Sequence, residues 1–465
     1  MTSTDTIAGS ISERMAGYIK NLRFSDIPST VVDKAILHII DTFGVAVASR
    51  DLEIVKPLLH LVMDEGGSED CVLFGHNRRV PMANAAMFNA ASTAALDFDD
   101  KHLSSSIHLS CTVVTTALTV GQKYHITGKE LLTAIIAGYE IEARLGMAAP
   151  WKFHDRGLHP TSIFGAIGSN IVASRIMGLN EREMANSLGL ACSMAAGLME
   201  YVKYGSWVKP LQIGWAVHAG IWAARLAASG YIAPPTAFEG RNGLFESHLH
   251  GDNYDIVAQL KSLGSEWQTL GMSIKPYPSC HSTHSSIDAV IDIIREHGLS
   301  PTDVLSITTL VPRKAYNLCC VPRDEKLRPS NWYSAKYSIP YTVSVAAHKM
   351  NVTLPDFTDK SIKRQEMLDF ARKVECIYDS NYDRFAASPF IPSKTVLKTP
   401  GATYEREVMA HKGTPPNPMT VDEVITKFRS NTNEVYTADV QNAIVDLILH
   451  LPSHDMDELT ATIHP

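Results

Sequence analysis

The sequence lacks several patterns that would place the protein in common classes. Its seven cysteines are scattered and form no Cys-x-x-Cys pair, which is atypical of a disulfide scaffold or a cysteine zinc site and indicates a reducing compartment. We find no secretory leader and no uncharged apolar stretch of about 18 residues, so we expect a cytoplasmic protein with no membrane contact. The 42 Lys and Arg residues form no basic stripe, and we therefore expect no nucleic-acid partner.

Nucleotide and hydrolase signatures are also missing. The chain contains no GxxxxGK[ST] loop, no GxGxxG turn after a predicted strand and no GxSxG elbow. These absences argue against most kinases, dinucleotide-dependent dehydrogenases and serine hydrolases.

The remaining pattern is mostly helical, in a chain of 465 residues that is too long for one compact core. Helix-spaced apolar residues follow Pro28, and capping boxes are predicted at Thr127 and Thr420. Residues 305–311 instead alternate like a half-buried strand, and further strand patterns follow. We predict a mainly α fold: a large all-helical domain from both chain ends (residues 1–268 and 405–465) and an inserted, smaller α+β lid domain (residues 269–404).

The densest polar cluster spans residues 95–110. Asp97, Asp99, Asp100, Lys101 and His108 all lie in it. A carboxylate beside an imidazole can set the tautomer of the histidine and raise its basicity, as acid–base catalysis requires. The alternative is a solvated loop with helix-capping aspartates.

Two further candidates lie next to prolines that suit the first turn of a helix. His159 precedes Pro160, which would place it beside the exposed N–H groups of a helix N-terminus, where it either helps to bind an anion or caps the helix. Lys209 precedes Pro210, so its ammonium would lie at the positive end of a helix, an unfavourable place for a cation. Such a lysine suits an anion clamp or a proton carrier, unless it is simply exposed.

A fourth cluster, at residues 274–288, holds Lys275, Cys280, His281 and His284 ahead of a predicted helix. Three neighbouring ligands with no distant complement are a weak zinc pattern. Cys280 beside His281 is an equally weak nucleophile pattern, because sequence neighbours are rarely spatial partners. We therefore predict no metal site.

Together, these clusters resemble the MmgE/PrpD family. The resemblance is carried by DFDD with a following histidine, by LHP, by the lysine of VKPLQIG, by KPYPSCHSTH and by AKYSIPY. It implies a helical domain with an inserted lid, a homodimer, and catalytic residues Asp97, His108, His159, Lys209, His281 and Tyr316. Lys101, Arg144 and Lys275 are candidate ligands for substrate carboxylates. Lys101 and Leu109 depart from the pattern of many members, which have Thr and Pro at these positions.

The resemblance also implies a reaction at a carbon beside a carboxylate. We expect an epimerase that removes and returns a proton on an aminodicarboxylate or polycarboxylate substrate, similar to iminodisuccinate epimerase. The alternative is a lyase of the same family, a cis-aconitate decarboxylase or a 2-methylcitrate dehydratase. None of these reactions requires a metal or an organic cofactor, so we expect no cofactor.

Overall fold

The structure is a computed structural model that describes residues 9–204, 206–385 and 390–464. The fold is mainly α, as the sequence predicts. The chain divides into two compact units: residues 1–272 with 420–465, and residues 273–419.

The helices follow one another in three groups along the chain. The first group is α1 (Ile11–Asn21), α2 (Ser29–Ser49), α3 (Lys56–Asp64), α4 (Met82–Ala95), α5 (Ser110–Tyr124), α6 (Gly128–Met147), α7 (Lys152–Asp155), α8 (Pro160–Ile176), α9 (Glu181–Met194), α10 (Tyr201–Tyr204), α11 (Val208–Ala228), α12 (Leu244–Leu249) and α13 (Ile256–Leu260). The second unit contains α14 (His281–His297), α15 (Arg313–Cys319), α16 (Arg323–Leu327), α17 (Trp332–Ala335), α18 (Ile339–Lys349) and α19 (Gln365–Ala371). The first unit is completed by α20 (Val421–Thr432), α21 (Ala438–Leu449) and α22 (Met456–Ile463).

Strands are few and mostly short. They are β1 (Cys71–Val72), β2 (Arg79–Val80), β3 (Lys101–His102), β4 (Met272–Ser273), β5 (Ser306–Val311), β6 (Val374–Tyr378), β7 (Ser393–Lys398) and β8 (Thr403–Val408). The last four form one sheet in the order β6-β5-β7-β8, in which only the β5–β6 pair is parallel. Helices α14 and α18 pack with this sheet over a shared apolar core. Strand β8 crosses residue 404, where we placed the second domain boundary, and it lies within the second unit.

The predicted capping boxes form. Thr127 and Thr420 each accept a hydrogen bond from the N–H group of the glutamate three residues later, whose carboxylate accepts the N–H of the threonine in return. One helix differs from prediction. Helix α14 begins at His281, whereas we expected His281 and His284 to precede it.

The C-terminal segment contacts the start of α6 through its backbone. Gly128 donates its N–H to His454 O at 2.8 Å, and Met456 donates to Ile126 O at 2.9 Å. A Cβ atom on Gly128 would lie 1.8 Å from Leu451 O. The first unit therefore requires glycine at this position for its two chain segments to meet.

We expect Gly128→Ala to destabilise the protein by about 3 kcal/mol, because the added methyl group overpacks a backbone contact that cannot yield easily. Urea unfolding measures the loss. The matched control is Gly17→Ala in α1, where a Cβ atom would have no neighbour within 4 Å. That helical substitution should be neutral or stabilise by about 0.5–1 kcal/mol. Equal stability of the two variants would contradict the role given to Gly128.

Candidate active site

The loop after α4 buries three carboxylates. Asp97, Asp99 and Asp100 are 5%, 1% and 1% exposed. This excludes the alternative of a solvated loop. Asp97 also has a φ angle of +52°, in the left-handed region that residues other than glycine seldom adopt. Because buried charge and such a backbone angle both cost free energy, surrounding contacts must hold this loop in place.

Lys209 supplies one of these contacts. Its Nζ lies 2.6 Å from Asp97 Oδ1, and both side chains are more than 90% buried. Lys209 occupies the first turn of α11, which begins at Val208, two residues before the predicted start at Pro210. The carboxylate of Asp97 thus offsets the unfavourable position of an ammonium at a helix N-terminus.

His108 is paired with the second aspartate of the loop. Its Nδ1 lies 3.0 Å from Asp99 Oδ2, and 12% of its side chain is exposed. The charge of the nearby carboxylate attracts a proton on the ring. His108 is therefore a candidate proton donor.

The third aspartate belongs to a buried network that the sequence analysis missed. Asp100 accepts hydrogen bonds from the N–H and the hydroxyl group of Ser110 and pairs with His38 Nδ1. The hydroxyl groups of Ser110 and Tyr139 lie 2.5 Å apart. Burial lowers the pKa of His38 despite its partner Asp100. A histidine inside the apolar stripe of α2 was the one available signal, and it pointed to no particular partner.

His159 lies directly before α8, as predicted, but its side chain does not cap that helix. Its Nδ1 is 2.9 Å from Gln212 Oε1. Burial, followed by the charge of Lys209, lowers the pKa of His159 to about 3, and His108 contributes in the same direction. The imidazole of His159 is therefore neutral at physiological pH, and His108, His159, Lys209 and Asp97 belong to one cluster of the first unit.

The structure contradicts the predicted role of Arg144. Its side chain is fully buried and donates to Glu140 Oε2 at 2.5 Å. The remaining guanidinium N–H groups bond to backbone oxygens of Gln259, Ser262 and Glu266 and to the Ser262 hydroxyl. Since these bonds engage all three guanidinium nitrogens, Arg144 joins segments of the protein and is not a ligand for a substrate carboxylate. Lys101 is half-buried, with its Nζ 6.0 Å from the ring centroid of Trp151.

The other three predicted residues lie in the second unit. His281 is the first residue of α14, and Lys275 is 2% exposed. Tyr316 lies on α15, half-buried against the apolar core under the sheet, and its ring centroid is 6.4 Å from that of Tyr378. The roles of these three residues stay predictions.

Three histidines of the second unit could together hold a metal ion. One nitrogen each from His281, His284 and His411 lies within 4.8 Å of the others, and all three side chains are buried. We predicted no metal site because no distant ligand accompanied the cluster at residues 274–288. His411 is such a ligand, and nothing in the sequence connects it with His281 and His284. Burial lowers the pKa of His411 to about 4, and the nearby charge of Lys275 acts in the same direction. The charge of Lys275 also opposes the binding of a divalent metal ion to these three histidines.

Comparison with known protein families shows to which family the chain belongs. The MmgE/PrpD N-terminal domain matches residues 13–257, and the MmgE/PrpD C-terminal domain matches residues 277–451. The chain belongs to the MmgE/PrpD family. The loop aspartates, His108, His159 and Lys209 all fall within the N-terminal match, whereas Lys275 lies between the two matches.

Several relatives match over nearly their full length, and their names refer to one reaction, the decarboxylation of cis-aconitate. The chain is 25% identical to a cis-aconitate decarboxylase-like protein, oryM, of Aspergillus oryzae, with 100% of this chain and 99% of the relative covered. It is 25% identical to the cis-aconitate decarboxylase of Aspergillus terreus (97% and 95% covered) and 24% identical to that of Homo sapiens (95% and 92% covered). These names favour the lyase alternative over the predicted epimerase. Among the described helices, none combines the length and apolarity needed to cross a bilayer.

Proposed function

We propose that this protein is a lyase that removes CO2 from an unsaturated tricarboxylate, with cis-aconitate as the first substrate to test. The observation that carries the proposal is the buried cluster of Lys209, His108 and His159 in a chain whose full-length relatives are named decarboxylases. We further propose that the reaction needs no cofactor.

Decarboxylation places definite demands on such a site. The bond between a carbon and its departing carboxylate breaks, and CO2 leaves. The electron pair of that bond forms a new double bond, and the pair of the old double bond moves towards the carboxylate conjugated to it. A proton is then added to a carbon of the chain. The site must therefore stabilise an enolate-like negative charge and supply one proton.

The cluster offers a group for each demand. The ammonium of Lys209 is a fixed cation that can stabilise the developing charge, with Asp97 holding it in place. His108 is the preferred proton donor because the carboxylate of Asp99 favours its charged form. His159 stays neutral and serves as a hydrogen-bond partner. Lys101, Lys275, His281 and Tyr316 are proposed to bind or orient the carboxylates.

The charge state of His159 also bears on the epimerase alternative. An epimerase requires a base and an acid on opposite sides of one carbon. A histidine with a pKa of about 3 is too weak a base to remove a proton beside a carboxylate efficiently. The neutral state of His159 is thus easier to reconcile with a lyase.

A single experiment distinguishes the reactions. The protein is mixed in D2O, in separate samples, with cis-aconitate, an aminodicarboxylate and a hydroxylated tricarboxylate, and CO2 release and proton NMR spectra are followed. With cis-aconitate the outcome is decisive for the proposal. We expect CO2, a new alkene signal and one deuteron in each product molecule. Deuterium exchange on an aminodicarboxylate without CO2 release would instead establish an epimerase, and water loss from a hydroxylated tricarboxylate would establish a dehydratase.

His108→Gln should reduce the rate by about 10²–10⁴-fold, whereas His125→Gln, in an exposed His–Asp pair, should not.

We also propose that the protein forms a homodimer through an exposed face of α11. Trp207, Leu211, Trp215 and Trp222 are 41–48% exposed and lie within one sector of this helix. The exposed parts of the three tryptophans amount to roughly 300 Å², a substantial share of the ~800 Å² that one partner contributes to a standard interface. A self-complementary patch of this kind suits a two-fold symmetric contact with a second copy.

We expect Trp215→Glu to shift the dimer towards monomer, because a charge would be buried in the contact. Light scattering after size exclusion measures the mass. The control is Leu61→Glu on α3, a residue 51% exposed, whose substitution should leave the mass unchanged. A wild-type monomer at micromolar concentration, or a dimeric Trp215→Glu variant, would refute the proposed interface.

A further inference from the structure

Gln212 has a side-chain amide whose orientation is fixed by its two neighbours. The residue lies on α11, one turn after Lys209. Its Nε2 donates to Leu198 O at 2.9 Å, and its Oε1 lies 2.9 Å from His159 Nδ1. Because a backbone carbonyl only accepts hydrogen bonds, the NH2 group must face Leu198 and the oxygen must face His159.

This orientation determines which nitrogen of His159 carries the proton. Oε1 of Gln212 can only accept, so Nδ1 of His159 must donate to it. A neutral imidazole has one N–H group, and His159 is neutral, since burial and the charge of Lys209 keep its pKa near 3. Its Nε2 therefore carries a lone pair and is a hydrogen-bond acceptor.

The partners of the two active-site histidines differ in charge. His108 has the carboxylate of Asp99, whereas His159 has the neutral amide of Gln212. The hydrogen bond to the neutral amide raises the pKa of His159, but burial and the nearby charges outweigh it. The charged groups near His159 are Lys209, His108 and His154, and all three disfavour a positive charge on it. His159 is therefore a neutral hydrogen-bond partner, and His108 is left as the candidate proton donor.

We propose that Gln212 is a positioning residue that holds His159 in the Nδ1–H tautomer and so presents its Nε2 as a hydrogen-bond acceptor beside Lys209. The inference rests on the proposed function, because it assumes that His159 acts on the substrate. Burial and the charge of Lys209 keep the imidazole neutral, and the amide of Gln212 fixes which nitrogen carries the proton. A protonated substrate carboxyl group or a water molecule can then donate to Nε2.

The test reads the tautomer directly and without turnover. In protein labelled with ¹⁵N-histidine, the His159 signals are assigned by their loss in His159→Asn. We expect a protonated Nδ1 and a bare Nε2 in the wild type. In Gln212→Met, which has a similar volume but no amide, the signals should move towards a mixture of tautomers. A wild-type His159 protonated at Nε2, or an unchanged tautomer in Gln212→Met, would overturn the inference.

A second test measures the pH dependence of kcat in Gln212→Glu. A carboxylate at this position should raise the pKa of His159, so the histidine becomes charged at low pH and neutral again as the pH rises. We expect kcat to fall about tenfold at the low end of the pH range and to recover with rising pH, whereas Gln212→Met should lose activity at every pH. A pH profile of Gln212→Glu that matches the wild type would also overturn the inference. If the proposed function is wrong, the wild type shows no turnover, but the NMR result still stands.

Discussion

Replacing Lys209 by methionine should reduce decarboxylation by at least about 10³-fold and also destabilise the fold. On the proposed function, the catalytic loss follows from removing a cation that stabilises the developing charge in a buried site. The loss of stability follows from the ion pair: Asp97 would keep a buried carboxylate without its partner at 2.6 Å. Breaking a buried pair in this way costs about 3–5 kcal/mol. Turnover assays and urea unfolding measure the two effects separately.

A double-mutant cycle with Asp97→Asn provides the control for Lys209. The double variant removes both charges, so it should be more stable than Lys209→Met alone. Its activity should stay as low as that of Lys209→Met, because the cation is still absent. Recovery of turnover in the double variant would show that Lys209 acts only by balancing Asp97, and it would refute the catalytic role.

Replacing Lys427 by methionine should also have a large effect, a loss of stability that depends on pH. Lys427 Nζ lies 2.6 Å from Asp41 Oδ1 and donates to Phe98 O at 3.0 Å, next to Asp97. Burial raises the pKa of Asp41 from 3.8 to about 6, and Lys427 opposes this shift. In Lys427→Met the pKa of Asp41 should rise further. A raised pKa means that the folded state keeps a proton that the unfolded state releases, so the stability of the variant must fall as the pH rises.

We therefore expect Lys427→Met to be little affected at pH 5 and to lose about 3–5 kcal/mol at pH 8. Urea unfolding at several pH values measures this trend. The control is Lys123→Met, which breaks an exposed pair with Asp70 at 2.7 Å and should cost less than about 1 kcal/mol. A loss for Lys427→Met that is independent of pH would show that Asp41 does not titrate as proposed.

The sequence predicts local structure well where the cause is local. A capping box depends on two residues three positions apart, and those at Thr127 and Thr420 form as predicted. The alternation at residues 305–311 likewise identifies β5. The start of α14 was missed because no capping side chain marks it: Cys280 makes no capping hydrogen bond.

Contacts between distant segments account for most of the remaining errors. Arg144 was expected to bind substrate because a sequence shows a charge but not its partners, and here those partners are Glu140 and three backbone carbonyls. The position of His411 beside His281 and the pairing of His38 with Asp100 also depend on tertiary structure. The polar cluster and the position before Pro210 singled out Asp97 and Lys209 in the sequence, and the coordinates showed that they form an ion pair.

The contact from Lys427 to the backbone beside Asp97 has a consequence for biosynthesis. The ribosome makes the loop first and the lysine that supports it only after the whole second unit has been translated. During that interval the loop lacks one of its anchors, while the second unit can already begin to fold. A nascent chain that stops short of α20 should therefore carry the second unit and an incompletely anchored candidate site.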